Sequence, residues 1–303
     1  MPRKKTRGFA RTTSVTAVIL VAVSAAGGLG LAARSSDHSP RTTASVSSVS
    51  AAAATPVPAT TSAEPAVDLD GALASAVEPL LTDAGEARVS VAVLDTGNGA
   101  GAVYGDGVYD TASIVKVDIL AALLLMAQDE NRVLTAEERN YATAMIERSD
   151  NASATALLQA IGGAEALDAA NERLGLTATT ATHAWGLTQT TAADQLALLE
   201  AVFGTESELS EKSRTYLQEL MGQVEADQQW GVSAAGSTWA LKNGWLPRTS
   251  TGLWDINSIG QVRADGHTYL VAVLSDGQRT QEAGITLVES VAKAAVEVLD
   301  DAR

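Results

Sequence analysis

Strand-like alternation occurs near both ends of this chain and hardly at all between them. That distribution limits the fold more than any single residue does. Arg88–Asp95 alternates as a strand, and Ala102–Tyr104 reads as a return strand after a turn at Gly97–Gly101. Strand patterns come back only at Trp239–Trp245, Trp254–Arg263 and Thr268–Ser275. In between, helical spacing runs through Ser113–Ala127, Ala136–Ile146, Ala152–Ile161, Ala164–Leu174 and Thr191–Phe203. Helices at Leu69–Leu81 and Ile285–Leu299 bracket the set. A lone hairpin is marginal in water, so one antiparallel sheet must draw on both ends of the chain. The expectation is an α+β fold: that sheet flanked by helices, plus an all-helical lobe.

Composition narrows the chemistry. The 303 residues include no cysteine, which excludes disulfides, thiol nucleophiles and Cys-ligated metals. The histidines are His38, His183 and His267, too few for a His-rich metal cage; neither a metal nor a cofactor is expected. Beyond residue 64 the chain carries 14 basic against 34 acidic side chains. So acidic a body repels phosphate backbones, and nucleic acid is excluded as a partner.

Residues 1–33 read as an address. Arg3, Lys4, Lys5, Arg7 and Arg11 precede the apolar run Val15–Ala33, the order of an export signal. Cleaved signal peptide and uncleaved membrane anchor both fit, so membrane contact is expected only through this segment. Residues 34–66 are mostly Ser, Thr, Ala and Pro and are expected to be a disordered linker. The domain is expected to span 67–303 and to lie outside the cytoplasm, secreted or anchored.

Three short motifs carry chemistry. Ser113-Ile-Val-Lys116 puts an amine one helical turn from a hydroxyl, so the lysine can reach the serine. Ser149-Asp150-Asn151 falls between two helical patterns, and Lys242-Asn243-Gly244-Trp245 falls on a strand. Singly, each has a plain structural reading: an N-cap serine, a helix cap, a sheet edge. The last helix even supplies a decoy, Ser290-Val-Ala-Lys293. Only Ser113, however, is followed by the other two motifs. Beyond residue 64 there are four lysines, Lys116, Lys212, Lys242 and Lys293, and two of them occupy motif positions.

With this motif order the chain resembles the class A β-lactamase and penicillin-binding protein superfamily, from about Leu69 to its end. The resemblance implies a β-lactamase-like fold. It implies Ser113 as the acylated nucleophile, Lys116 as its base and Ser149 as a proton relay. It further implies Asn151 on the substrate amide and Lys242 as positive charge for a substrate carboxylate. The N–H groups of Ser113 and Trp245 beside Gly244 would form the oxyanion hole. The implied partner is a small molecule or peptidoglycan peptide, either a β-lactam or a D-alanyl peptide.

The departures are equally specific. The E-x-x-L-N loop of class A enzymes, whose glutamate activates the deacylating water, is missing, and Trp185 falls at its place. No carboxylate occurs from Thr177 until Asp194, which is expected to belong to the following helix and to point away from the loop. Asn243 replaces the usual Thr/Ser of the third motif. Slow deacylation follows, with His183 the one substitute base in the loop. The rival readings are a serine amidase of the glutaminase kind and a catalytically silent module that binds cell-wall peptides or a protein. Arg248 and Arg279 are candidate carboxylate binders or solvated charges. Trp230, Trp239, Trp245 and Trp254 are expected to pack under the sheet or to stack on a ligand.

Overall fold

The alternation of each strand divides the interior in two. In the computed structural model, which describes residues 67–303, five strands form one antiparallel sheet. They are β1 (Arg88–Asp95), β2 (Gly101–Tyr104), β5 (Thr238–Pro247), β6 (Trp254–Ala264) and β7 (His267–Gln278), in the order β2-β1-β7-β6-β5. The early β1 pairs with the late β7, Val91 lying opposite Val273. Both ends of the chain thus make one sheet, as the strand pattern demands. On β7, Tyr269, Val271 and Val273 enter one apolar core while Leu270, Ala272 and Leu274 enter the other.

The first core is closed by α1 (Leu69–Leu81) and α8 (Gln281–Asp301), which present Leu73, Val77, Val288, Val291 and Ala295. The second contains α2 (Val115–Asp129), apolar on nearly every side and buried accordingly. Around it lie α3 (Ala136–Glu147), α4 (Asn151–Ile161), α5 (Ala164–Arg173), α6 (Ala192–Phe203) and α7 (Glu211–Met221). Polar caps set where these helices start. Thr135 and Glu138 form a reciprocal capping box on α3, and Asp150, Thr191, Ser210 and Thr280 cap α4, α6, α7 and α8. Gly162, at φ +108°, ends α4.

Three details differ from expectation. The segment Ser113–Ala127 is not one helix: a 3-10 turn, Ala112–Ile114, precedes α2. The helix α7 has no counterpart in the pattern read from the sequence. A two-residue ladder joins β3 (Tyr109–Asp110) to β4 (Gln189–Thr190) outside the main sheet. The expected signal or anchor and the linker lie outside the described residues. Among the described residues, no helix is long and apolar enough to cross a membrane.

Candidate active site

Ser113 stands on a turn held from three sides. Thr111 N donates to Thr188 O at 2.9 Å, tying the turn to the loop before α6. Asn257 on β6 donates from Nδ2 to Asp110 O (2.9 Å) and Thr111 O (3.1 Å), and its Oδ1 accepts from Ser275 N. On β5, Gly244 lies so close that a Cβ there would be 2.7 Å from Thr111 O and 2.8 Å from Ser113 N. Only glycine lets the strand approach the Ser113 backbone in this way. Ala112 completes the turn at φ +47°, a left-handed conformation that costs an L-residue of the order of 1–2 kcal/mol.

Behind Ser113, three elements converge on one hydroxyl. Lys116, on the first turn of α2, donates to Ser149 Oγ (3.0 Å), Ser149 O (2.6 Å) and Asn151 Oδ1 (2.8 Å). Lys242, on β5, donates to the same Ser149 Oγ (3.1 Å) and to Asn243 O (3.1 Å). Ser149 can face both amines because its backbone turns left-handed, φ +56°, immediately before α4. Asp150 fixes that corner, its Oδ1 accepting from Ser153 N at 2.7 Å and Ser153 Oγ at 2.6 Å. Both lysines are wholly buried. Burial lowers Lys116 to about 7, against a weaker opposite pull from Asp150. It drives Lys242 well below the usual lysine range, with the Lys116 charge adding to the effect.

The Ser113 hydroxyl itself makes no hydrogen bond among the described residues. The structure joins Lys116 to Ser149 and Asn151, and leaves the serine half-buried on the wall of a cleft of about 450 Å³. Asn151 and Trp245 line that cleft too, whereas Lys242 and Gly244 do not. Asn243 turns inward: its Nδ2 donates to Gln228 O (2.8 Å) and Trp230 O (2.9 Å).

The opposite wall comes from the loop between α5 and α6. His183, Trp185 and Leu187 line the cleft there. Trp185 donates from Nε1 to Thr155 Oγ1 (3.2 Å), and its ring centre lies 4.8 Å from Lys116 Nζ. Asp194 does belong to α6. It nevertheless turns back to the loop's start, accepting from Ala178 N (2.8 Å) and Thr179 Oγ1 (2.6 Å), and is not a cleft residue. Asp168 holds the loop through Ala181 N.

The remaining candidates lie elsewhere. Ser290 donates to Thr286 O along α8, as a helix-face residue does. Arg248 is ion-paired with Asp110 and Asp255, and Arg279 lies beside Gly85, lining a separate cavity with Leu80 and Ser290. Trp230, Trp239, Trp245 and Trp254 pack against the core of the α1–α8 face, Trp230 and Trp245 tilted with centroids 6.0 Å apart. The sequence reading missed the contact of Trp185 with Lys116, and Asn257 as the clamp of the Ser113 turn. Asp118 also escaped it, a carboxyl wholly buried in α2 whose two oxygens make no hydrogen bond. Burial pushes its pKa up to about 7.

Comparison with known proteins agrees with this architecture. The profile of the Beta-lactamase enzyme family matches residues 132–299, which include the second and third motifs and begin after Lys116. A class A β-lactamase from Bacteroides cellulosilyticus superposes with TM-score 0.67 at 17% identity, covering 77% of this chain and 99% of that one. The TLA-1 extended-spectrum β-lactamase gives 0.68 at 19%, covering 76% and 99%. A PBP-A mutant solved as an acyl-enzyme with penicillin G gives 0.65 at 21%, covering 76% and 96%. No curated protein matches the sequence.

Proposed function

The chain belongs to the Beta-lactamase enzyme family, and from that premise we propose that it is a serine hydrolase or acyl-transferase that works through an ester on Ser113. One observation carries the reading: two buried lysines on different elements meet at Ser149 Oγ, directly behind the cleft on which Ser113 stands. Burying two amines is costly. A fold needs no such pair for stability, but a proton path needs it.

In this reading Lys116, neutral above about pH 7, takes the proton of Ser113 as Oγ adds to a carbonyl of the β-lactam or D-alanyl-peptide kind. The Ser113 Oγ–C bond forms and the C–N bond breaks. The proton leaves through Lys116 and Ser149 to the departing nitrogen, with Lys242 biasing Ser149 to donate. Asn151 orients the substrate amide, and the N–H groups of Ser113 and Trp245 hold the oxyanion. Deacylation is slow, because the loop facing the ester offers His183 and Trp185 and no carboxylate. The N-terminal sequence pattern supports export, with the domain acting outside the cytoplasm.

Incubation with a fluorescent penicillin, followed by intact-mass and peptide analysis, tests the reading. A label on Ser113 is expected. The second reading, a silent binding module, draws on the unbonded Ser113 hydroxyl; it predicts no label with any acyl donor.

A further inference from the structure

The two backbone N–H groups assigned above to the oxyanion belong to different elements, and one ion pair ties those elements together. Ser113 stands three residues after Asp110, and Trp245 stands three residues before Arg248. Arg248 is paired with Asp110, and on its other side its Nε donates to Asp255 Oδ2 at 2.6 Å. We propose, resting on the acyl-transfer reading above, that the Arg248–Asp110 pair is a positioning device for acylation. It sets the spacing between Ser113 N and Trp245 N, and with it the fit of the oxyanion hole to the tetrahedral intermediate.

The other contacts around the turn do different work. Gly244 sets how closely β5 can approach Ser113, but a glycine holds nothing by a side chain. Asn257 grips Asp110 O and Thr111 O from β6, and Thr188 O takes Thr111 N from the loop before α6. Among the described residues, Arg248–Asp110 is the one side-chain hydrogen bond or ion pair that joins β3 and the Ser113 turn to the end of β5. Both partners are themselves held. Arg248 N donates to Leu253 O at 2.7 Å, and Arg248 O accepts from Gly252 N at 2.7 Å, which closes the β5–β6 hairpin on the arginine. The Asp110 carboxylate also accepts from Gln189 Nε2 across the β3–β4 ladder. The side chains of Asp110 and Asp255 are 9% and 4% exposed, so salt screens the pair little. A guanidinium can serve two carboxylates at once through separate N–H groups; a lysine offers only a point charge.

Burst kinetics with nitrocefin, which separate the acylation rate at saturation from the half-saturating concentration, test the proposal. Arg248→Met is expected to lower the saturating rate by about 10–100-fold, the scale of a misplaced oxyanion contact. The half-saturating concentration should stay within about threefold, because the spacing matters only once the oxyanion forms. Arg248→Lys should recover part of the loss. Asp110→Ala and Asp255→Ala each leave the arginine one carboxylate, so these two variants decide the matter even if Arg248→Met does not fold. Asp110→Ala should slow acylation as Arg248→Met does, whereas Asp255→Ala should keep the rate within about threefold. Equal losses in the two aspartate variants, an effect confined to the half-saturating concentration, or an unchanged rate in Asp110→Ala would overturn the inference and leave the acyl-transfer reading standing. Absence of any label on Ser113 in the unaltered protein would overturn that reading and this inference with it.

Discussion

The two walls of the cleft are built on different principles. The rear is polar and over-determined: Ser149 Oγ meets two amines, Asp150 caps its own helix, and Gly244 and Asn257 clamp the Ser113 turn. The front is apolar, with Trp185 resting over Lys116, and the acids that reach this loop, Asp168 and Asp194, are turned to its backbone. In the proposed function, forming an ester would draw on the rear wall and clearing it would draw on the front wall. On this contrast acylation and deacylation are separable, and each can be broken alone.

The largest effect should come from the nucleophile. Ser113→Ala is expected to abolish covalent labelling, while Ser290→Ala leaves it intact, as read by peptide mapping. Labelling of the Ser113→Ala protein would move the chemistry off this turn.

Lys116 comes next. Lys116→Arg should lose acylation nearly as fully as Lys116→Ala, by about 10²–10⁴, because a guanidinium stays protonated and accepts nothing. In the unaltered protein the acylation rate should rise with pH through a midpoint near 7, since the buried amine is a base only once it has lost its proton. A flat profile from about pH 6 to 8.5 would assign the base elsewhere.

The front wall is tested by adding what it lacks. Nitrocefin should give a stoichiometric burst and then slow turnover. Trp185→Glu places a carboxylate next to Lys116 and is expected to raise steady-state hydrolysis by about 10–100-fold, the lower part of the range for general-base help. If turnover is already fast and collapses in His183→Ala, the histidine is the base and the separation of the walls fails.

That the residues of the rear wall belong together was largely legible in the sequence, because they stand in short motifs of fixed type and order. Ser113, Lys116, Ser149 and Lys242 stand in short motifs, and the strand pattern of Arg88–Asp95 matches β1 residue for residue. What stayed hidden depends on backbone form or on long-range packing. An alanine at φ +47° carries no sequence signature, so the 3-10 turn before α2 read as helix. The helix α7 is rich in charged residues, and its burial of Leu217, Leu220 and Met221 is decided by neighbouring helices rather than by local propensity. A two-residue ladder such as β3–β4 is too short for any periodicity. The inward turn of Asn243 depends on carbonyls 13 and 15 residues away.

The smallest effect concerns stability alone and shows whether the pH profile belongs to Lys116. The helix α2 buries two groups with midpoints near 7, Lys116 and Asp118, two residues apart. Asp118 is raised from 3.8, so between about pH 4 and 7 the folded protein holds a proton that the unfolded chain has released. Its contribution therefore falls as pH rises through that window and stays low above it. Lys116 is lowered from 10.5, so the unfolded chain holds the extra proton between about 7 and 10.5, and stability from that residue rises over that range. Asp118→Asn keeps the shape and removes the ionisation. It should stabilise the fold by roughly 2–4 kcal/mol at about pH 8 and leave it nearly unchanged at about pH 4.5, as measured by denaturant unfolding. The acylation midpoint should stay near 7 in this variant, because Asp118 does not line the cleft. A midpoint that moved with Asp118→Asn would show the two titrations to be coupled through α2, and the rear wall would then extend one helix face deeper than its hydrogen bonds indicate.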